Sequence, residues 1–190
     1  MKRLLLVRHA PTTATRRADF PVDEPLDARG REQAAALAAA IPTRSEAVSS
    51  PARRCRETAA AAGLDPEIDA RLAECDFGGW AGRSLNEVYR EDPVAAAQWM
   101  TDPEAAPHGG ESLATFSARV AGWLDEERRS GDGYRVAITH SGVVKASVVH
   151  ALGAGLAAFW RIDVSPLSIT EMHAHGDNWT VSRVNATLLR

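Results

Sequence analysis

Four consecutive apolar positions, Leu4-Leu5-Leu6-Val7, stop abruptly at Arg8-His9. An unbroken apolar run of this length fits a strand covered on both faces, as in a parallel sheet. Arg135-Val136-Ala137-Ile138-Thr139 repeats the pattern and stops at His140. Glu46-Ala47-Val48-Ser49 is a shorter strand of the same kind. Between these runs the apolar spacing turns helical. Asp27 reads as the N-cap of a helix running to about Ile41, with Ala34, Leu37, Ala38 and Ile41 on one stripe and Pro42 closing it. Ser50-Pro51 opens a second helix, with proline in its first turn, and Gly63 ends it. Leu113, Phe116, Val120, Trp123 and Leu124 mark one face of a long amphipathic helix over about 112–128, broken by Gly131-Asp132-Gly133. Ser141 begins a helix that ends at Leu152-Gly153.

Shorter helical pieces are expected over 84–90 and 93–100. Residues 10–25, 72–82 and 103–110 are rich in proline, glycine or polar side chains and read as loops. A connection as long as 10–25 is often functional. Two strands, 167–172 and 179–184, close the chain around a turn at Gly176-Asp177-Asn178. This alternation predicts an α/β fold in one domain over 1–190: a three-layer α/β/α sandwich whose central sheet is mostly parallel with an antiparallel C-terminal edge.

Composition narrows the function classes. A hydrophobic content of 45% in 190 residues is enough for one full core. A net charge of -3 argues against a nucleic-acid or membrane-surface partner. Arg8 and His9 end the first apolar run too early for a signal peptide, and no run approaches the roughly 20 residues that span a bilayer. Two cysteines, Cys55 and Cys75, are too few for a disulfide scaffold. A cytoplasmic protein is expected.

The candidate chemistry lies where the strands stop. In open α/β sheets ligands bind beyond the carboxyl ends of the strands. If the two long runs are neighbours, His9 and His140 converge there. The helix beginning at Pro51-Ala52-Arg53-Arg54 would bring its positive dipole end and guanidinium groups to the same edge. Arginine forks match phosphate oxygens in paired hydrogen bonds, so this set of groups suits a phosphate. The alternative is a solvated helix face carrying Arg53, Arg54 and Arg56 beside two ordinary strand ends.

Five motifs in order resemble the histidine phosphatase superfamily, the phosphoglycerate-mutase-like group, over nearly the whole length. Arg8-His9 resembles that family's Arg-His-Gly signature, with Ala10 in the glycine position. The stretch from Ser49 to Thr58 resembles its second motif and puts the phosphate-binding arginine at Arg54. The stretch from Leu72 to Trp80 resembles the loop that carries the proton donor, here Glu74. Gly109-Gly110-Glu111-Ser112 matches the family's stretch before its long helix. Thr139-His140-Ser141-Gly142 resembles the second histidine motif, with Ser141 for the usual glycine. Pro11 and Thr15 stand where glutamate and asparagine are common.

The resemblance implies a phosphatase for small phosphorylated metabolites that needs no metal or cofactor. Neutral imidazole can attack phosphorus and divide one hard step into two. His9 is the expected nucleophile, through a phosphohistidine. Arg8, Arg54 and His140 would hold the phosphoryl oxygens, His140 best as the cation. Glu74 would protonate the leaving oxygen. Thr12 and Ser141 would add hydroxyls for substrate binding, although Ser141 could equally start its helix as a cap.

The sequence is compatible with rival readings. A mutase would have to shield phosphohistidine from water with a lid and a tailored pocket, and the compact chain favours the phosphatase. The opening Arg8-His9-Ala10-Pro11-Thr12 is similar to that of phosphatases acting on ribazole phosphate, an analogy only. A non-catalytic phosphate-ligand binder is the third possibility. His173-Ala174-His175-Gly176-Asp177 could place three metal ligands on one face of an extended segment, or could simply be an exposed turn. Cys55 and Cys75 each follow an expected site residue; they are either redox partners or inert buried thiols. Phe77, Trp80 and Trp99 either line the pocket or fill the core.

Overall fold

A computed structural model describes residues 1–187. Its elements in chain order are β1 (Lys2–Arg8), α1 (Thr13–Arg17), α2 (Ala28–Ala35), β2 (Glu46–Ser49), α3 (Arg53–Ala61) and β3 (Glu67–Ile68). They continue with α4 (Leu85–Glu91), α5 (Pro93–Thr101), α6 (Leu113–Arg129), β4 (Gly133–Thr139), α7 (Ser141–Ala151), β5 (Ile169–His175) and β6 (Asn178–Ala186).

The six strands form one sheet in the order β3-β2-β4-β1-β5-β6. Strands β3, β2, β4 and β1 run parallel, and β5 and β6 add the expected antiparallel edge. Alternation along β1 divides the core. Leu4 and Leu6 face Phe116, Val120, Trp123, Val143 and Val144 of α6 and α7. Leu5 and Val7 face Ala34, Leu37, Cys55 and Ala59 of α2, its 3₁₀ extension and α3. The side-chain period of two sends neighbouring residues to opposite faces, so a continuous apolar run serves two cores at once.

The register fixes the site. Arg8 pairs with Thr139 across β1 and β4, and Ser49 pairs with Ile138 across β2 and β4. The three strands end level, and His9, Ser50 and His140 follow on one rim. The backbone N–H groups of His9 and Ser50 still donate to Thr139 and Ile138, at 2.9 and 3.0 Å.

Local departures from expectation have local causes. The loop 10–25 contains α1, five residues capped by Thr12 and closed by Ala18 in the left-handed region at φ 57°. A helix that short leaves no readable apolar stripe. The helix expected to reach Ile41 tightens to a 3₁₀ turn over Ala36–Ala39. Pro51 lies ahead of the N-cap Ala52, not inside the first turn of α3. Strand β3 has two residues, both exposed, so burial left no pattern to read. Leu167 precedes β5 and takes φ 61°.

Candidate active site

Arg54 is the hub of the rim. Its Nε donates to His9 Nε2 at 3.2 Å, its Nη2 to His140 Nδ1 at 3.1 Å, and its Nη1 to the Val22 carbonyl at 2.8 Å. The two imidazoles stand edge to face, with ring centroids 5.3 Å apart. These contacts assign the tautomers. His9 donates Nδ1–H to the Ala10 carbonyl at 2.7 Å, leaving Nε2 as the acceptor. His140 donates Nε2–H to Ser50 Oγ at 2.8 Å and accepts at Nδ1.

Both rings are neutral. Burial, reinforced by the Arg54 cation, pushes the His9 pKa down to about 3. Burial, then His9 and Arg54, holds His140 well below the ordinary histidine range. In this arrangement the His140 nitrogen that would carry the second proton of the cation receives Arg54 instead. Helix α3 brings Arg54 to the rim, but one of its terminal backbone donors is already taken. The first N–H of α3, that of Arg53, donates to Asp23 Oδ1 at 2.7 Å, so the chain's own carboxylate occupies that end.

Arg8 reaches the rim from the end of β1. Its Nη1 donates to the Val164 carbonyl at 2.6 Å, while its buried Nε has no partner. Ala10 is fully buried, donates its N–H to Thr58 Oγ1 at 3.0 Å and does not require positive φ, so replacing glycine there brings no strain.

Glu74 comes from the loop after the 3₁₀ turn Ala70–Leu72. Its Oε1 accepts from the Cys75 N–H and its Oε2 from the Gly142 N–H, each at 3.1 Å. Arg119 braces the loop from behind. Its Nη1 donates to the Arg71 and Ala73 carbonyls, and Glu111 holds the guanidinium at 2.7 Å.

A cavity of about 300 Å³ lies over this rim, lined by Arg8, His9, Thr12, Arg54, Glu74, His140 and Ser141 together with Phe20, Phe77 and Trp99. All seven residues expected at the site therefore meet in one space. Two of them sit differently from their expected use. The Thr12 hydroxyl donates to Glu24 and caps α1, so its single proton is not directed at the cavity. Ser141 is the first residue of α7 and not its cap, a position held by His140. Trp80 is not on the cavity wall; it packs behind, against Phe20 and Trp99.

Sequence reasoning missed Ser50, Asp23, Glu111 and Arg119. Ser50 was detectable as a hydroxyl at a third strand end. Asp23 and Arg119 act on backbone groups far along the chain, and Glu111 acts through Arg119, two turns or so of helix on. The His173/His175/Asp177 run assembles no metal site: His173 Nδ1 is 2.9 Å from Ser182 Oγ, and Asp177 pairs with Arg128. Among the described residues no group of three His, Cys, Asp or Glu side chains could hold a metal ion. Cys55 and Cys75 are both free thiols. Among the described residues no helix is long and apolar enough to cross a membrane.

The chain resembles known proteins in sequence and in fold. Phosphoserine phosphatase 1 of Hydrogenobacter thermophilus is 31% identical over 197 residues, covering 98% of this chain and 93% of that protein. A bifunctional protein of Mycobacterium tuberculosis is 34% identical over 197 residues, and the match takes in 97% of this chain but 54% of that protein. The chain thus spans about half the length of that relative. The solved structure of a mycobacterial glucosyl-3-phosphoglycerate phosphatase complexed with VO3 superposes with a TM-score of 0.86 at 28% identity, covering 98% of this chain and 100% of the other. The model of the histidine phosphatase superfamily (branch 1) matches residues 4–187, and the chain belongs to that superfamily.

Proposed function

We propose that this chain is a single phosphatase domain that hydrolyses phosphate monoesters of small metabolites through a phosphohistidine on His9. The observation that carries the reading is the state of His9. Its Nδ1–H is tied to the Ala10 carbonyl, so Nε2 keeps its lone pair, and burial keeps the ring unprotonated. A neutral imidazole nitrogen aimed at an anion seat is a ready nucleophile.

The phosphoryl group would lie between Arg8 and Arg54, whose donors face its equatorial oxygens. His9 Nε2 attacks phosphorus as the bond to the ester oxygen breaks. Glu74 passes its proton to that oxygen, and the alcohol leaves. Water then attacks the phosphohistidine, Glu74 takes its proton, the P–N bond breaks, and inorganic phosphate departs. Entry of the phosphate dianion sets Arg54 against the substrate and favours uptake of a solvent proton by His140, which then donates to the phosphoryl group beside the two arginines.

Relatives named for phosphoserine and for glucosyl-3-phosphoglycerate support a small phosphorylated metabolite as substrate. Two free thiols fit a cytoplasmic setting. The test is exposure of the protein to a radiolabelled ester followed by acid and alkali treatment. Acid-labile, alkali-stable label is expected on the wild type and absent from His9→Ala, with phosphate release lost in the variant. Label that survives in His9→Ala sinks the reading. Conversion of 3-phosphoglycerate to 2-phosphoglycerate without phosphate release would make the chain a mutase.

A further inference from the structure

The cavity over His9 adjoins a second chamber of about 170 Å³. The two share Glu74, Phe77, Trp99 and Ser141. Beyond that boundary the walls are Leu113, Phe116, Phe159 and Trp160, and Lys145 is the cation in the lining. Lys145 stands four residues after Ser141 on α7, so both present the same helix face, and one face of α7 serves the two cavities in turn.

The Lys145 ammonium lies 5.3 Å from the centroid of the Phe159 ring. The residue is half-buried, and among the described residues no carboxylate approaches within 4.0 Å of its Nζ. Burial lowers its pKa, while Glu74 and Asp163 act from a distance in the opposite direction. Charged groups are rarely withdrawn from water without a partner, because the lost hydration has to be replaced. A ligand can supply that partner.

We infer that this chamber receives the leaving alcohol and that Lys145 binds a carboxylate on it, which makes phosphate monoesters of hydroxy acids the preferred substrates. The inference rests on the phosphatase reading above, since Glu74 is there the acid that meets the leaving oxygen. Glu74 lies on the wall common to both cavities, so the rest of the alcohol continues from that point into the second chamber. Aromatic and aliphatic walls lower the local dielectric and strengthen an ammonium–carboxylate contact. An alcohol without an anionic group leaves the ammonium unpaired, and a cationic one is repelled.

The test compares kcat/KM for 3-phosphoglycerate and glycerol 3-phosphate, which share a carbon skeleton and differ in the carboxylate. A charged hydrogen bond lost from a partly desolvated site typically changes such ratios by roughly tenfold to hundredfold. The wild type is expected to favour 3-phosphoglycerate by that factor. In Lys145→Met the ratio should collapse to within about threefold of unity, and Lys145→Arg should retain most of it. The wild-type ratio needs no variant to fold. A wild-type ratio near one, or an unchanged ratio in Lys145→Met, overturns the inference. p-Nitrophenyl phosphate separates the two levels: hydrolysis of it with a ratio near one sinks the role of Lys145 alone, whereas inertness toward every ester sinks the phosphatase reading and this inference together.

Discussion

Gly142 and Glu74 are built around each other. The Gly142 N–H holds Glu74 Oε2 at 3.1 Å, and a β-carbon on Gly142 would stand 2.1 Å from Oε1. The second residue of α7 therefore has no side chain at the place where the carboxylate approaches the helix backbone. A methyl group there displaces the flexible carboxylate before it disturbs the helix, with Phe116 Cζ the next neighbour at 3.2 Å. Gly142→Ala is expected to lower kcat by roughly the value of a misplaced acid–base group, about 10²-fold. Competitive inhibition by inorganic phosphate should stay within a few-fold of the wild type. Equal losses in kcat and phosphate affinity would show that Gly142 shapes the anion seat and not the position of Glu74.

The two neutral imidazoles set a pH window for stability. In the unfolded chain His9 and His140 titrate near 6.5; in the fold His9 falls to about 3 and His140 well below its ordinary value. The unfolded chain therefore binds more protons as pH drops below 6.5. Stability from the buried neutral rings is fully present above 6.5 and is lost as pH falls through that value toward the folded pKa. Carboxylates such as Glu57 and Glu111, held low by Arg53 and Arg119 against the opposing effect of burial, lose their contribution only below about pH 4.5. Urea unfolding between pH 7 and 5 should weaken by about 1.4 kcal/mol per pH unit for each imidazole that takes up a proton. His9→Gln should flatten that slope; an unchanged slope would mean that His9 binds protons equally in the folded and unfolded chain.

The cysteines should be silent while the chain is folded. Cys55 is fully buried, with Sγ 3.5 Å from His140 Nε2, and burial pushes its pKa up to about 12. Burial and then the Glu74 charge also raise Cys75. Thiolate is the reactive form, so both thiols are inert near neutral pH. Titration with a chromogenic disulfide should find no fast-reacting thiol in the native protein and two after denaturation. A fast native reaction at Cys75 would reopen a redox role for it.

The central sheet was legible because it is buried on both faces. Leu4–Val7 and Val136–Ile138 carry no alternation to misread, and the polar residues that end them mark the ligand-binding rim. Arg8, His9, Arg54, Glu74 and His140 were legible through motif order along the chain. The support behind them was not. Arg119 lies on α6, 45 residues from Glu74, and steadies its loop through backbone carbonyls that any sequence would offer. Asp23 sits in an irregular loop and reaches α3 only because the fold returns there. The charge of His140 is decided by burial and by Arg54, neither of which is encoded next to it. Segments α1 and β3 were missed because five and two residues are too few to carry a period.

Arg53 and Arg54 are neighbours in sequence with opposite surroundings. Arg54 is 4% exposed and spends its guanidinium on both imidazoles and the Val22 carbonyl. A lysine could keep the charge there but not the fork that spans two rings and faces a phosphoryl group. Arg54→Lys is therefore expected to lower kcat/KM on p-nitrophenyl phosphate by roughly 10²–10³-fold, the usual scale for losing a preorganised donor. Arg53 has a side chain 52% exposed and pairs with Glu57 one turn on, at 2.7 Å. Such exposed pairs contribute about 0.3–0.5 kcal/mol, and the Arg53 N–H that Asp23 accepts belongs to the backbone. Arg53→Ala should hold kcat/KM within twofold and move the urea midpoint only slightly. If Arg53→Ala loses as much activity as Arg54→Lys, the positive end of α3 reaches the substrate through both side chains, and the assignment of the anion seat to Arg8 and Arg54 has to be redrawn.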